Sequence, residues 1–379
     1  CNGSFDYFFP SRLAELKMLE WIAENRPTCT IAHYGLGNFY FNAKRHKDAI
    51  EIWEKAVDAG CNYATLHRIL GIAYWNAMQD GQKARAYFQN AIDDSPKDMR
   101  IQYEYDQLRK KLNDSPEARL HDLLALGDDI LSRDDFSVEL AALFNYTDQG
   151  QKALDLLTDR NFHPWEGGEG QVLRQFTHAC LDLGQKALNR QDPNEAIACF
   201  TKSLDIPDNL GEKYHPLQAV AHINYWKGMA YRALGNEEKA IEHFATSAQE
   251  QGDFIDMAVS DFSELTYYKA LSMKELGRKQ EAKEVLAAMK SYALNKLKQK
   301  AKIDYFATSL PLLLVFEDDI QKNNDIEAYY LLGLAELGLG NHENSMENFR
   351  KVLEFSITHI GAKDHLSRLS LDKFHTVNP

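Results

Sequence analysis

The chain resembles itself at a spacing of about 34 residues, and that self-similarity limits its fold more than any other feature. Leu36-Gly37 is followed by Tyr40, Ala49, Trp53 and Ala56, and Leu70-Gly71 by Tyr74, Ala84, Phe88, Ala91 and Pro96. The grid recurs at Leu183-Gly184 with Ala196 and Phe200, at Gly228 with Tyr231, Ala240 and Phe244, and at Leu332-Gly333 with Phe349 and Val352. The offset from the glycine to the next large residue is 16 in four of these units and 17 in the Gly71 unit. Weaker copies fall at Ala141, Phe144, Ala153 and Leu157, and at Ala270, Ala282 and Leu286. A unit this short buries its apolar face only against its neighbours, so the copies must stack. Small residues mark where two helices touch, and large ones fill the space between successive pairs.

This pattern resembles the tetratricopeptide repeat. It implies an all-α, right-handed α-solenoid of about seven or eight tetratricopeptide-like helical hairpins with irregular inter-repeat loops. Leu234-Gly235-Asn236 and Leu339-Gly340-Asn341 sit where a first helix must stop, because Gly and Asn tolerate φ > 0. Residues 101–124 are helical by periodicity but lack the glycine and alanine grid. No strand pattern competes. The expected organisation is one continuous superhelix, with repeats and a leading helix over 1–160 and loop-bearing repeats over 161–379.

Composition removes several functions. With 43 Lys plus Arg against 56 Asp plus Glu, the formal charge is 43 − 56 = −13, and an acidic chain is a poor partner for nucleic acid. The longest apolar run, Leu310 to Phe316, contains Pro311 and is far short of the ~20 residues of a membrane span. No membrane partner is expected. Cys1, Cys29, Cys61, Cys180 and Cys199 form no CxxC pair, which reads as reduced, buried thiols in a cytoplasmic setting, without a metal site or cofactor. No secretory leader precedes the helical pattern, and the chain reads as a piece of something longer. Asn2-Gly-Ser and Asn145-Tyr-Thr match the glycosylation sequon, a weak signal at odds with reduced thiols. A nucleophile elbow, a P-loop and a dinucleotide glycine pattern are all missing, so catalysis is not expected.

The repeat is interrupted twice. Gly71 to Gly184 spans 113 residues and Gly184 to Gly228 spans 44, against about 102 and about 34 for whole units. The surplus maps to Phe162–Gly170 and Pro207–Pro216, both between the second helix of one hairpin and the first of the next. Such connections leave a stack on one edge, so the two loops are expected to be spatial neighbours. A third irregular segment, Tyr305–Asp319, lies at the same kind of junction. Two readings of the loops stand side by side. Trp165 with His163, Glu166, Glu169, Glu212, Tyr214 and His215 offers an aromatic face and carboxylates, the groups that bind sugars or move protons. Alternatively, Pro164 and Pro216 bound helices, and Trp165 and Tyr214 plug the seam between hairpins.

The other candidate surface is the inner face of the first helices. It is assigned Tyr34, Asn38 and Asn42 in one unit and Arg68, Trp75 and Asn76 in the next, then His178, Tyr225 and Arg232. This aromatic, amide-rich lining departs from the tetratricopeptide groove that clamps a terminal carboxylate with paired cations. It suits a protein or peptide partner, and equally another part of the same polypeptide.

Phe8-Phe9-Pro10-Ser11-Arg12, His163–Gly170 and Tyr305–Asp319 together look like the C-terminal half of large bacterial proteins. In those, a mutarotase-like β-sandwich of unassigned, carbohydrate-related function precedes a tetratricopeptide array. The resemblance implies an upstream domain as a further partner. Two functions follow: a non-catalytic scaffold that binds through its groove and loop edge, or the helical part of a carbohydrate-active enzyme that lends edge-loop residues to a shared site.

Overall fold

The computed structural model describes residues 5, 8–165, 167–250, 253–255, 258–302 and 315–377, without side chains at 253–255, 258–259 and 371–377. Among the described residues the regular structure is helical apart from one small ribbon. Two compact units are present: Cys1–Leu112 with Pro311–Glu317, and Asn113–Leu310 with Asp318–Pro379. The expected division at 160/161 falls inside the second unit.

The first unit contains α1 (Leu13–Asn25), the hairpins α2 (Thr30–Asn42)/α3 (His46–Asp58) and α4 (Ala64–Met78)/α5 (Gly81–Asp94), and α6 (Met99–Lys111). The second opens with α7 (Pro116–Ala125) and continues through α8 (Asp134–Tyr146)/α9 (Gly150–Thr158), α10 (Gln171–Asn189)/α11 (Pro193–Lys202) and α12 (Ala221–Ala233)/α13 (Glu237–Gln249). Two more hairpins follow, α14 (Glu264–Glu275)/α15 (Lys279–Lys296) and α16 (Ile320–Gly338)/α17 (His342–Phe355), and α18 (Ile360–Val377) ends the chain. Seven hairpins are thus present among the described residues. The gridless stretch 101–124 is α6 and α7, either side of the boundary between the units.

Each hairpin with a grid glycine is closed by an aromatic ring lying on that glycine. A Cβ at Gly37 would sit 2.2 Å from the Trp53 indole. At Gly71 it would be 2.6 Å from Phe88, at Gly184 2.3 Å from Phe200, at Gly228 2.5 Å from Phe244, and at Gly333 2.6 Å from Phe349. The offset of 16 or 17 residues is therefore the distance, around one turn, between a bare patch of helix and the ring that covers it. All five rings are buried. Ala49, Ala84, Ala196 and Ala240, on the second helices, are buried as well.

The turns inside the hairpins share one geometry. Each contains a residue with positive φ: Lys44, Gln79, Asp148, Gln191, Gly235, Gly277 and Gly340. The next residue's amide reaches back to close the first helix, as in Asp192 N to Ala187 O at 2.9 Å and Asn236 N to Tyr231 O at 2.9 Å. That same residue often caps the second helix, as Asp80, Asp192 and Asn236 do by accepting from the amide three positions on. Three of the seven turns use glycine, and the other four carry side chains that local sequence signals do not mark.

Two expectations are corrected. A two-stranded antiparallel ribbon pairs Asp253–Ile255 with Ala258–Ser260 between α13 and α14. Three-residue strands are too short to show an alternating pattern, which is why the sequence gave no sign of them. Cys29 is disulfide-bonded rather than a thiol. Cys61, Cys180 and Cys199 are free, and burial pushes the Cys180 thiol up to about 12. Cys1 and the Asn2 sequon lie outside the described residues, while Asn145 is buried with its amide donating to Gln175 O at 3.0 Å. Among the described residues no helix is long and apolar enough to cross a membrane.

Phe200→Ala removes the ring that seals Gly184 and should cost about 3–5 kcal/mol of stability. Gln191→Gly relieves an exposed side chain held at φ 63° and should raise stability by up to about 1 kcal/mol. Thermal melts of the two variants should move in opposite directions. A lower melting temperature for Gln191→Gly would contradict the turn geometry.

Candidate functional site

The inner face of the first unit is occupied by other parts of the same chain. On α2, a Cβ at Gly35 would lie 2.1 Å from the Phe8 ring, and Asn38 Nδ2 donates to Phe8 O at 3.1 Å. Tyr34 is buried, edge-on to Phe5 and to Tyr63 at ring separations of 5.4 Å and 5.7 Å. Asn42, at the end of α2, is exposed.

One turn further into the stack, α4 holds a short irregular segment. Asn76 Nδ2 donates to Val315 O at 3.0 Å, and Asn76 Oδ1 accepts from Glu317 N at 2.9 Å. A single side-chain amide thus satisfies the backbone on both sides of Phe316. Trp75 Nε1 donates to Glu317 O at 3.2 Å, and its ring stands edge-on to Phe316 at 6.2 Å. Phe316 is 4% exposed and packs on Phe88 at 5.7 Å, so it reaches the ring that seals Gly71. Beside it Arg68 grips Glu104 with two nitrogens, one at 2.6 Å, and Arg100 joins that carboxylate at 3.1 Å. Arg68 is therefore committed to an ion pair within the wall.

In the second unit the corresponding face carries α18. His178 Nε2 lies 3.9 Å from Asp364 Oδ2, and burial holds His178 below its usual value against the pull of that carboxylate. Arg368 bonds Gln185 and stacks over Trp226 at 5.6 Å. Lys363 donates to the Tyr146 carbonyl and lies over its ring at 4.4 Å. His365 is buried, stacked on Phe349 at 5.3 Å and edge-on to Tyr267 at 5.7 Å. Tyr225 is buried among Trp226, Phe244 and Tyr268, and burial pushes its hydroxyl up to about 12. Arg232 pairs with Glu275 and Glu237 over the Phe244 ring.

The two inserted loops are spatial neighbours, and they meet through capping bonds. Phe162 N donates to Asn209 O at 2.7 Å, while the Asn209 side chain closes the end of α9 by donating to Leu157 O at 2.9 Å and Arg160 O at 2.7 Å. Glu212 accepts from Gly170 N at 2.7 Å and Leu173 N at 2.8 Å, placing a carboxylate at the positive start of α10. Tyr214 shares a hydrogen bond with Thr177 at 2.7 Å and donates to Ser203 O at 3.0 Å, and burial pushes it up to about 12. Trp165 is half-buried with its indole against Gly168, where a Cβ would come within 1.9 Å. His163 is exposed, its backbone amide donating to Asp134 at 2.9 Å with its ring nitrogen 3.2 Å from the same oxygen. His215 is exposed and its Nδ1 accepts from Leu217 N at 3.1 Å, and Glu169 is exposed. Glu166 lies outside the described residues. No group of three or more metal-ligating side chains gathers among the described residues.

The sequence singled out Trp75 and Asn76 but not the segment 315–317 that they bond. The signal was present: Phe316 ends the longest apolar run, in a segment already marked as irregular. The last helix, α18, packs mainly on α17, and its Gly361 lies under Tyr330 in a contact outside the 16-residue grid.

Family models described as tetratricopeptide repeat match residues 16–65, 221–251 and 326–356. Among solved structures, a tetratricopeptide repeat protein from Parabacteroides merdae is 11% identical, with 94% of this chain and 99% of that one covered at a TM-score of 0.40. A structure of Naa15/Naa10 bound to HypK-THB is 14% identical over 94% of this chain and 58% of that one, at a TM-score of 0.42. YrrB, described as a TPR protein with an unusual peptide-binding site, is 20% identical over 45% of this chain and 81% of that one, at a TM-score of 0.33. The seam geometry and the three matched segments together establish that this chain carries tetratricopeptide repeats in both of its units.

Proposed function

We propose that the protein is a non-catalytic helical-repeat scaffold that binds a protein partner through the inner faces of its hairpins. The observation that carries this reading is the grip of Trp75 and Asn76 on residues 315–317. Asn76 reads backbone on both sides of one residue, which gives affinity without regard to side chains, and the pocket between Trp75 and Phe88 selects an aromatic residue at the centre. The partner segment is a non-helical peptide with a phenylalanine, and an upstream domain of the same polypeptide is one source of it. The edge loops give no support to a shared sugar site. Both Glu212 oxygens and the Tyr214 hydroxyl are engaged within the seam. The cytoplasmic setting rested on reduced thiols, and with Cys29 bonded we favour a compartment that permits disulfides.

The test empties the pocket in the full chain. A fluorescent peptide of residues 313–319 should bind the Phe316→Ala chain at least about tenfold more tightly than the unaltered chain, because the resident competitor is weakened. Adding Asn76→Ala should abolish that gain while circular dichroism still reports a folded chain. Equal binding with and without Asn76 would remove the basis of the reading.

A further inference from the structure

The first helix of a repeat stack has a side with no hairpin to pack on, and in a soluble array that side is polar. The outward side of α1 is not. Leu13 is 73% exposed, Met18 53% and Trp21 61%, and Phe9, just ahead of the helix, is 73% exposed. At 3.6 residues per turn Leu13, Lys17, Trp21 and Met18 fall within one arc of roughly 140°. Leu19 lies opposite that arc and is buried in the core of the first unit, with Leu16 and Ile22 packed beside it. The described residues ahead of Phe9 turn elsewhere: Phe5 stands edge-on to Tyr34 at 5.4 Å, and the Phe8 ring rests on Gly35.

The charges of α1 divide into two groups. Glu15 accepts from Ser11 N and Arg12 N, both at 2.8 Å, and so closes the helix start, while Glu20 accepts from the Tyr40 hydroxyl at 2.9 Å. Lys17 and Glu24 are exposed on the apolar arc and have no hydrogen bond or ion pair among the described residues. They stand about two turns apart, with Trp21 between them. This arrangement is complementary to itself. When a second α1 runs antiparallel about a two-fold axis beside Trp21, each Lys17 meets the other helix's Glu24 and the two indoles meet at the centre. A parallel pairing would set lysine against lysine and is disfavoured by like-charge repulsion.

We propose that the outward face of α1, formed by Leu13, Lys17, Met18, Trp21 and Glu24, is an interface with a second copy of this chain. The two helices cross antiparallel, with Trp21 as the apolar anchor and the Lys17–Glu24 pairs fixing the register. One helix from each chain makes a small interface, so the two copies associate reversibly, in the micromolar range or weaker. The inference does not rest on the pocket around Asn76.

The test is sedimentation equilibrium of the full chain from about 5 to about 500 µM, where a reversible monomer–dimer equilibrium is expected. Trp21→Ala should weaken the dimer at least about tenfold, and so should Lys17→Glu or Glu24→Lys alone. All three positions are exposed, so circular dichroism should report unchanged folding. An equimolar mixture of the Lys17→Glu chain and the Glu24→Lys chain should dimerise within about threefold of the unaltered chain, because both pairs are then restored with the signs exchanged. A chain that stays monomeric across the range overturns the proposal and leaves the face to a different protein. A dimer that Trp21→Ala and the single charge reversals leave intact also overturns it, as does a mixture of the two reversed chains that fails to recover.

Discussion

An aromatic ring lying on a bare glycine is the contact on which the rest of this structure depends. Five hairpins close this way, at Gly37, Gly71, Gly184, Gly228 and Gly333, and in each the space for the ring exists only because the first helix has no Cβ there. The ring sets the distance between the two helices, and that distance decides how much apolar surface remains to receive the next hairpin. Stability in such an array is local, so each seam contributes to its neighbours and not to distant ones. The turns keep the same register through a residue at positive φ followed by a helix cap.

Much of this could be read from the sequence because the seam uses residues of opposite size at a fixed offset. Gly235 and Gly340 marked their turns for the same reason. Lys44, Gln79, Asp148 and Gln191 adopt the equivalent conformation without glycine, since a strain of about 1–2 kcal/mol is affordable where two helices already fix the turn. Local signals therefore find some turns and miss others of identical geometry. The surface loops were placed together correctly from their insertion points. Their chemistry was not legible, because Glu212 is a helix cap only by virtue of residues about 40 positions away.

The inner faces illustrate the same limit. Periodicity placed Tyr34, Trp75, Asn76 and His178 on one side of the first helices. What covers them was not legible, since Phe316 and α18 reach those positions across more than 180 residues of sequence. An amide-rich lining is consistent with a free groove and with an internal docking surface alike. Both units turn out to hold part of their own chain against that face.

The connection between α17 and α18 consists of residues 356–359 and is itself tied down, with Asn113 bonded to Phe355 O and Ile357 N and the Tyr146 hydroxyl bonded to Ile357 O. A helix on so short a leash returns to its seat as though it were present at a concentration on the order of millimolar. The four-residue connection thus keeps α18 beside α17 and returns it to the same contacts each time it opens.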